Sequence, residues 1–79
     1  MHTVYVLYSD QQDRLYIGMT SDLTRRIRDH NAGYNESTKA YVPWRLIHTE
    51  EFIDRVTARE KEKKLKTTSG RRYIRNHYL

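Results

Sequence analysis

Two runs rich in β-branched and aromatic residues, TVYVLYS (3–9) and RLYIGMT (14–20), are separated only by the polar stretch DQQD. Such side chains suit a pleated, half-buried surface, and so short a polar link predicts an antiparallel hairpin. Everything downstream must pack on that hairpin. SDLTRRIRDHNAG (21–33) opens on a Ser/Asp cap signal, has no interior Pro or Gly and stops at Asn31 to Gly33, which predicts a helix with a glycine C-terminal signal. Residues 33–43 read as a loop and WRLIHTEEF (44–52), after Pro43, as a third strand. Asp54 predicts the cap of a helix over RVTAREKEKKLK (55–66), and TTSGRRYIRNHYL (67–79) adds a short final helix whose start is blurred by Gly70. The order β-β-α-β-α-α predicts an α+β fold: a small three-stranded antiparallel sheet flanked by helices.

At 79 residues the chain is expected to be one domain over 1–79, and a chain of this length buries only about 60% of the surface its unfolded form exposes. There is no cysteine to supply a disulfide framework or a thiolate zinc site. No apolar run approaches the roughly 20 residues that cross a bilayer, and MHTVYVLYSDQQD lacks a cationic leader, so the expected location is the cytoplasm. The net charge of +5 is spread unevenly: residues 1–54 hold six Lys/Arg against eight Asp/Glu, residues 55–79 nine against two. A cationic segment on a small domain is the footprint of a phosphate-backbone binder. A solvated helix face has the same composition.

Three groups of side chains stand out. With the hairpin turn centred between Asp10 and Gln11, Tyr5 is expected opposite Tyr16 and Thr3 opposite Gly18. Two phenols then share one face beside a glycine that admits close approach, though cross-strand tyrosines also serve as plain sheet stabilisers. On the first helix, an advance of about 100° per residue makes Leu23 and Ile27 the buried stripe, with Arg26 and His30 on one flank and Arg25 and Arg28 towards solvent. Arg26 is the one placed to hold a phosphate bidentately; the alternative is a snorkelling arginine beside a surface histidine. On the second helix Ala58, Glu62 and Leu65 fall in one narrow arc, with Glu60 on the far side. A carboxylate on a buried face needs a metal or a salt bridge, here to Arg26 or a lysine. Glu50 and Glu51 are adjacent on a strand and project to opposite faces, so a two-carboxylate site is not expected.

These residues, in this order, resemble the GIY-YIG endonuclease superfamily over nearly the whole chain. Tyr16-Ile17-Gly18 matches the second motif, Thr3-Val4-Tyr5 keeps only the tyrosine of the first, and the interval of eleven from Tyr5 to Tyr16 fits the family's spacing. Arg26 stands at the family's helix arginine with His30 four residues later, and Glu62 at its metal-binding glutamate. The likeness is to small stand-alone bacterial members, similar to the N-terminal nuclease domain of the excision-repair excinuclease. The resemblance implies a metal-dependent DNA endonuclease with one Mg2+ or Mn2+ ion held by Glu62. It implies Tyr5 as acceptor of the attacking water's proton with Tyr16 in support, Arg26 as phosphate clamp, and His30 as a group that orients a tyrosine or relays its proton. The products would carry 5′ phosphates, and the setting would be repair or recombination. Asn76 is the residue that would correspond to a C-terminal asparagine of some relatives.

Two departures bear on substrate choice. Thr3 stands where the family has glycine and adds a side chain on the tyrosine face. Many relatives carry a separate DNA-binding domain that these residues do not supply, so selectivity is expected from loop 33–43, a protein partner or the cationic last third. Lys61, Lys63, Lys64, Lys66, Arg71, Arg72 and Arg75 are the candidate backbone contacts. The rivals to an enzyme are a nucleic-acid-binding module of the same fold without catalysis and a protein-interaction adaptor. Neither has a use for a buried glutamate.

Overall fold

The computed structural model describes residues Met1–Leu79. Strands β1 (His2–Ser9) and β2 (Arg14–Thr20) form the hairpin. They are followed by α1 (Leu23–Asn31), a 3-10 turn (Lys39–Tyr41), β3 (Arg45–Phe52), α2 (Arg55–Leu65) and α3 (Thr68–Tyr78). The antiparallel sheet has the order β2-β1-β3. The expected architecture is therefore observed, with β1 central and Val4, Tyr5, Val6 and Leu7 all fully buried.

Each helix begins at a side-chain cap. Asp22 accepts the N–H of Arg25, Asp54 that of Thr57 and Thr67 that of Gly70, satisfying donors that the first turn leaves free. The last cap places Gly70 inside the first turn of α3. A Cβ on Gly70 would lie 2.7 Å from Leu65 Cα, so glycine is what lets α3 turn directly off the end of α2.

Alternation along β1 divides the core in two. Val4 and Val6 face α2 and α3, where they pack with Ile17, Ala58, Leu65 and Ile74. Tyr5 and Leu7 face the other way, under Trp44, with Tyr16, Leu23 and Ile27 packed around them. Burying one such side chain contributes on the order of 2 kcal/mol, and the central strand does so on both faces. No helix is long and apolar enough to cross a membrane.

The hairpin register departs from the expected one. Tyr5 pairs with Gly18 rather than Tyr16, Thr3 with Thr20 rather than Gly18, and Tyr16 with Leu7. The cause lies in the loop, where all of Asp10 to Asp13 stand outside the ladder and Ser9 pairs with Arg14. Asp13 closes the loop at φ 52°, a conformation that aspartate tolerates better than most residues. It is tied there by the Tyr8 hydroxyl at 2.9 Å and by Arg75 at 2.7 Å. Because the centre moves by one residue in the turn, each partner moves by two along β2, and the faces are preserved. The two phenols still share a face, on a diagonal instead of directly opposed.

Candidate active site

Gly18 and the Tyr5 ring occupy one another's space. A Cβ built on Gly18 would stand 2.5 Å from Tyr5 Oη, 2.6 Å from Tyr5 Cζ and 3.0 Å from Tyr16 Cε1. The glycine is thus the floor on which Tyr5 lies, and the register shift is what brings it there. Tyr16 sits beside this ring at 6.2 Å between centroids, and 4.7 Å from the His30 ring. Trp44 closes the group edge-on to Tyr16 at 6.3 Å.

His30 joins this aromatic group to the loop. Its Nε2 is 3.0 Å from Tyr5 Oη and its Nδ1 2.9 Å from Thr38 Oγ1, while the Thr38 hydroxyl donates to Asn35 O at 3.4 Å. The contact of Thr38 with that carbonyl favours the tautomer in which Oγ1 accepts from Nδ1–H and the Nε2 lone pair accepts from the Tyr5 hydroxyl. His30 is 1% exposed; burial first, and the Arg26 charge second, hold its pKa below the ordinary histidine value and keep the ring neutral. Burial also raises the Tyr5 phenol above its usual value, against the lowering effect of the adjacent Arg26.

The surface histidine weighed from the sequence is thus not what the fold contains. His30 is the buried residue of α1, whereas Leu23 and Ile27 are only half-buried. The reason is the loop after α1, which folds back over the helix end. Trp44 Nε1 donates to Thr38 O at 3.0 Å, and Asn31 clasps the Trp44 backbone through bonds of 2.6 and 3.2 Å. Thr38, Asn31 and Trp44 escaped the sequence analysis. The one available signal was a tryptophan directly after proline at the end of an otherwise polar loop.

Arg26 is half-buried on α1, and its Nε is buried with no hydrogen-bond partner. Clefts open on either side of it. One, of about 400 Å³, includes His30, Tyr34 and Asn35. The other, of about 360 Å³, runs past Met19, Thr20 and Ser21 to Arg55, and so joins α1 to the start of α2 around the β2 edge. As the helical wheel predicted, Glu62 lies on the buried face of α2, at 8% exposure between buried Ala58 and Leu65. Its carboxylate meets Lys66 at 3.2 Å and Arg59 at 3.7 Å. Of the two kinds of partner considered, the lysine is realised and Arg26 is not, because α1 and α2 cover opposite faces of the sheet. The Glu62 charge still reaches the Tyr5 phenol and adds to the rise in its pKa.

The cationic last third is less free than its composition suggested. Lys61 is held by Glu50 at 3.4 Å, Lys66 by Glu62, and Arg75 by Asp13 at 2.7 Å, while Arg71 donates to the Lys66 carbonyl at 3.3 Å. Lys63, Lys64 and Arg72 are exposed outside these pairs, and Asn76 is exposed on α3. Glu50 and Glu51 diverge as expected. Glu50 pairs opposite Val4 and reaches His48 at 3.3 Å, while Glu51 pairs opposite Thr3.

The profile of the GIY-YIG catalytic domain matches residues 1–78. A UPF0213 protein of Natronomonas pharaonis is 38% identical over 69 residues, 86% of this chain and 80% of that one. A UPF0213 protein of Halobacterium salinarum is 37% identical over 70 residues, covering 87% and 90%. A structure-specific endonuclease subunit SLX1 homologue of Giardia intestinalis is 45% identical over 42 residues, 49% of this chain and 12% of that one. The solution NMR structure of a UPF0213 protein from Bacillus halodurans superposes with a TM-score of 0.59 at 28% identity, covering 95% of this chain and 82% of that one. The matched profile spans the strands, α1 and α2 that carry Tyr5, Tyr16, Arg26, His30 and Glu62, and the chain belongs to the GIY-YIG catalytic domain family.

Proposed function

We propose that this protein is a metal-dependent DNA endonuclease that hydrolyses phosphodiester bonds with a single divalent ion, Mg2+ or Mn2+. The observation that carries this reading is the buried Arg26 Nε, an unspent donor between two clefts on a guanidinium that already engages the Tyr5 hydroxyl. An N–H desolvated without an acceptor is costly unless another group completes it. A bridging phosphate is the anion its fork fits.

The donor set suits a hard divalent ion that keeps most of its waters, Mg2+ or Mn2+. No group of three or more His, Cys, Asp or Glu side chains converges anywhere in the fold, which leaves no zinc cage and no calcium loop. Glu62 is a single carboxylate, and Mg2+ accepts such a site because it keeps most of its waters and takes the rest of its ligands from phosphate. Bound there, the ion would stabilise the leaving 3′ oxygen and the charge that gathers on the phosphoryl oxygens. Lys66 would give up its contact or share the carboxylate.

The remaining roles belong to side chains of the chain itself. Arg26 holds the phosphate as charge builds on its oxygens. Tyr5 accepts the proton of the attacking water as its own proton passes to His30 Nε2; burial and Arg26 oppose the imidazolium that results, so the transfer depends on the phosphate's negative charge being held beside it. Thr38 keeps that nitrogen available by accepting at the other. Tyr16 packs against both rings and fixes their places. Similarity over 42 residues to a structure-specific endonuclease subunit supports a structure-selective cut, and the setting we propose for it is repair or recombination.

The test is cleavage of labelled duplex, nicked, flapped and branched DNA with and without Mg2+, beside Glu62→Ala. Metal-dependent cutting that disappears in the variant is the expected result. Cutting that survives the substitution removes Glu62 from its role, and binding without cutting leaves a nucleic-acid-binding module of the same fold.

A further inference from the structure

A separate cleft of about 300 Å³ lies between α2 and α3, lined by Lys61, Lys64, Ser69 and Tyr73 among others, and it contains none of the motif residues. One wall is aromatic. Tyr73 is 49% exposed, yet its ring is fixed, stacked on His77 at 4.0 Å and edge-on to Tyr78 at 6.1 Å. His77 is itself held by its Nδ1–H donating to the Tyr73 carbonyl at 3.0 Å, and Tyr78 by stacking on His48 at 4.4 Å. The other wall is cationic. Lys61 and Lys64 stand one helical turn apart, and while Lys61 is shared with Glu50, Lys64 is exposed and holds no carboxylate. The start of α3 adds nothing here, because Thr67 already accepts the Gly70 N–H. The recognition rests on a ring and two ammonium groups.

We infer that this cleft binds one nucleotide of an unpaired DNA strand, its base against Tyr73 and its phosphate on Lys64 and Lys61. A preordered aromatic ring beside cations is the combination by which single strands are held without sequence preference. A paired base has both faces covered by its neighbours, so only an unpaired one can offer its face to the ring. The volume is at the low end for pockets that hold a small organic ligand, too small for a duplex. The inference rests on the nucleic-acid reading above and assigns its substrate class: DNA that carries an unpaired strand.

The experiment measures binding without catalysis. Fluorescence anisotropy of the full chain in EDTA is recorded with a short oligothymidylate and with a blunt duplex, for the parent, Tyr73→Ala, Tyr73→Phe and Lys64→Glu. Tyr73→Ala is expected to weaken oligothymidylate binding roughly tenfold and leave the duplex unaffected, with Tyr73→Phe close to the parent. Unchanged oligothymidylate affinity in Tyr73→Ala, an equal loss on duplex, or no single-strand binding by the parent overturns the inference. If Tyr73→Ala fails to fold, Lys64→Glu decides: it is expected to abolish oligothymidylate binding, and retained binding refutes the cleft. Failure of the nuclease assay with single-strand binding intact would remove the catalytic reading alone.

Discussion

Gly18→Ala puts a methyl group where the Tyr5 ring lies. Its Cβ would stand 2.5 Å from Tyr5 Oη and 2.6 Å from Cζ, where ordinary contact is 3.4–4 Å. Tyr5 is fully buried on the central strand, and Tyr16 closes the other side with its Cε1 3.0 Å from the new carbon. The ring is packed against Gly18 and Tyr16 and must lift or rotate, which breaks its 3.0 Å bond to His30. Overpacking of this kind costs about 1–3 kcal/mol and the hydrogen bond about 1 kcal/mol. The sum is about 2–4 kcal/mol, which lowers Tm by roughly 8 °C or more in a domain of this size. Far-UV circular dichroism followed through thermal and urea unfolding measures it, and DNA cleavage falls in parallel because the Tyr5 hydroxyl leaves its place. Adding Tyr5→Phe removes Oη but keeps Cζ, so the double variant recovers part of the loss and not all of it. A Gly18→Ala protein within about 0.5 kcal/mol of the parent, with full cleavage activity, would show that Tyr5 does not rest on this glycine.

Thr38→Val keeps the shape of the side chain but strands the buried His30 Nδ1–H, for a cost of about 1–3 kcal/mol; cleavage should fall while DNA affinity stays. An unchanged imidazole nitrogen NMR spectrum in that variant would refute the assigned tautomer. The depressed His30 pKa has a definite sign in stability. The fold disfavours the charged ring, so the stability it carries is present above its unfolded value near ~6.5 and is lost as pH falls below that through the folded pKa. Urea midpoints stepped down from neutral pH should decline less in His30→Gln, and equal declines would exclude His30 as the source. Asp10, Asp13 and Asp54 titrate below 3.8 and stay out of that window. Arg26→Lys replaces the fork by a point charge and should cost roughly a hundredfold in cleavage rate with only a small fall in melting temperature, since Nε makes no bond to lose and the retained positive charge keeps part of the interaction with the Tyr5 hydroxyl. A loss of stability equal to the loss of activity would argue for a structural arginine.

Much of the candidate site was legible because its residues obey local periods. A period near 3.6 put Ala58, Glu62 and Leu65 on one arc, and a period of two put Tyr5 and Tyr16 on one face; neither requires knowledge of what lies opposite. The pairing register was not legible to that rule. It depends on Asp13 in the left-handed region, and Asp13 is held by Arg75, 62 residues further along the chain. The burial of His30 was hidden for the same reason, since helical phase places it beside the stripe while Thr38 and Trp44, brought over by the loop, determine that it is covered.

The amino-acid pattern by itself determined the order of elements, the caps of the first two helices, the sheet face of each tyrosine and the inward aim of Glu62, because these follow from backbone periodicity and neighbouring side chains. Tertiary structure alone decided the partners. It set Tyr5 on Gly18, His30 between Tyr5 and Thr38, Glu62 against Lys66 instead of Arg26, and Lys64 beside Tyr73 in a second cleft. Contacts between residues distant in sequence depend on how the layers pack, and no local period carries that information.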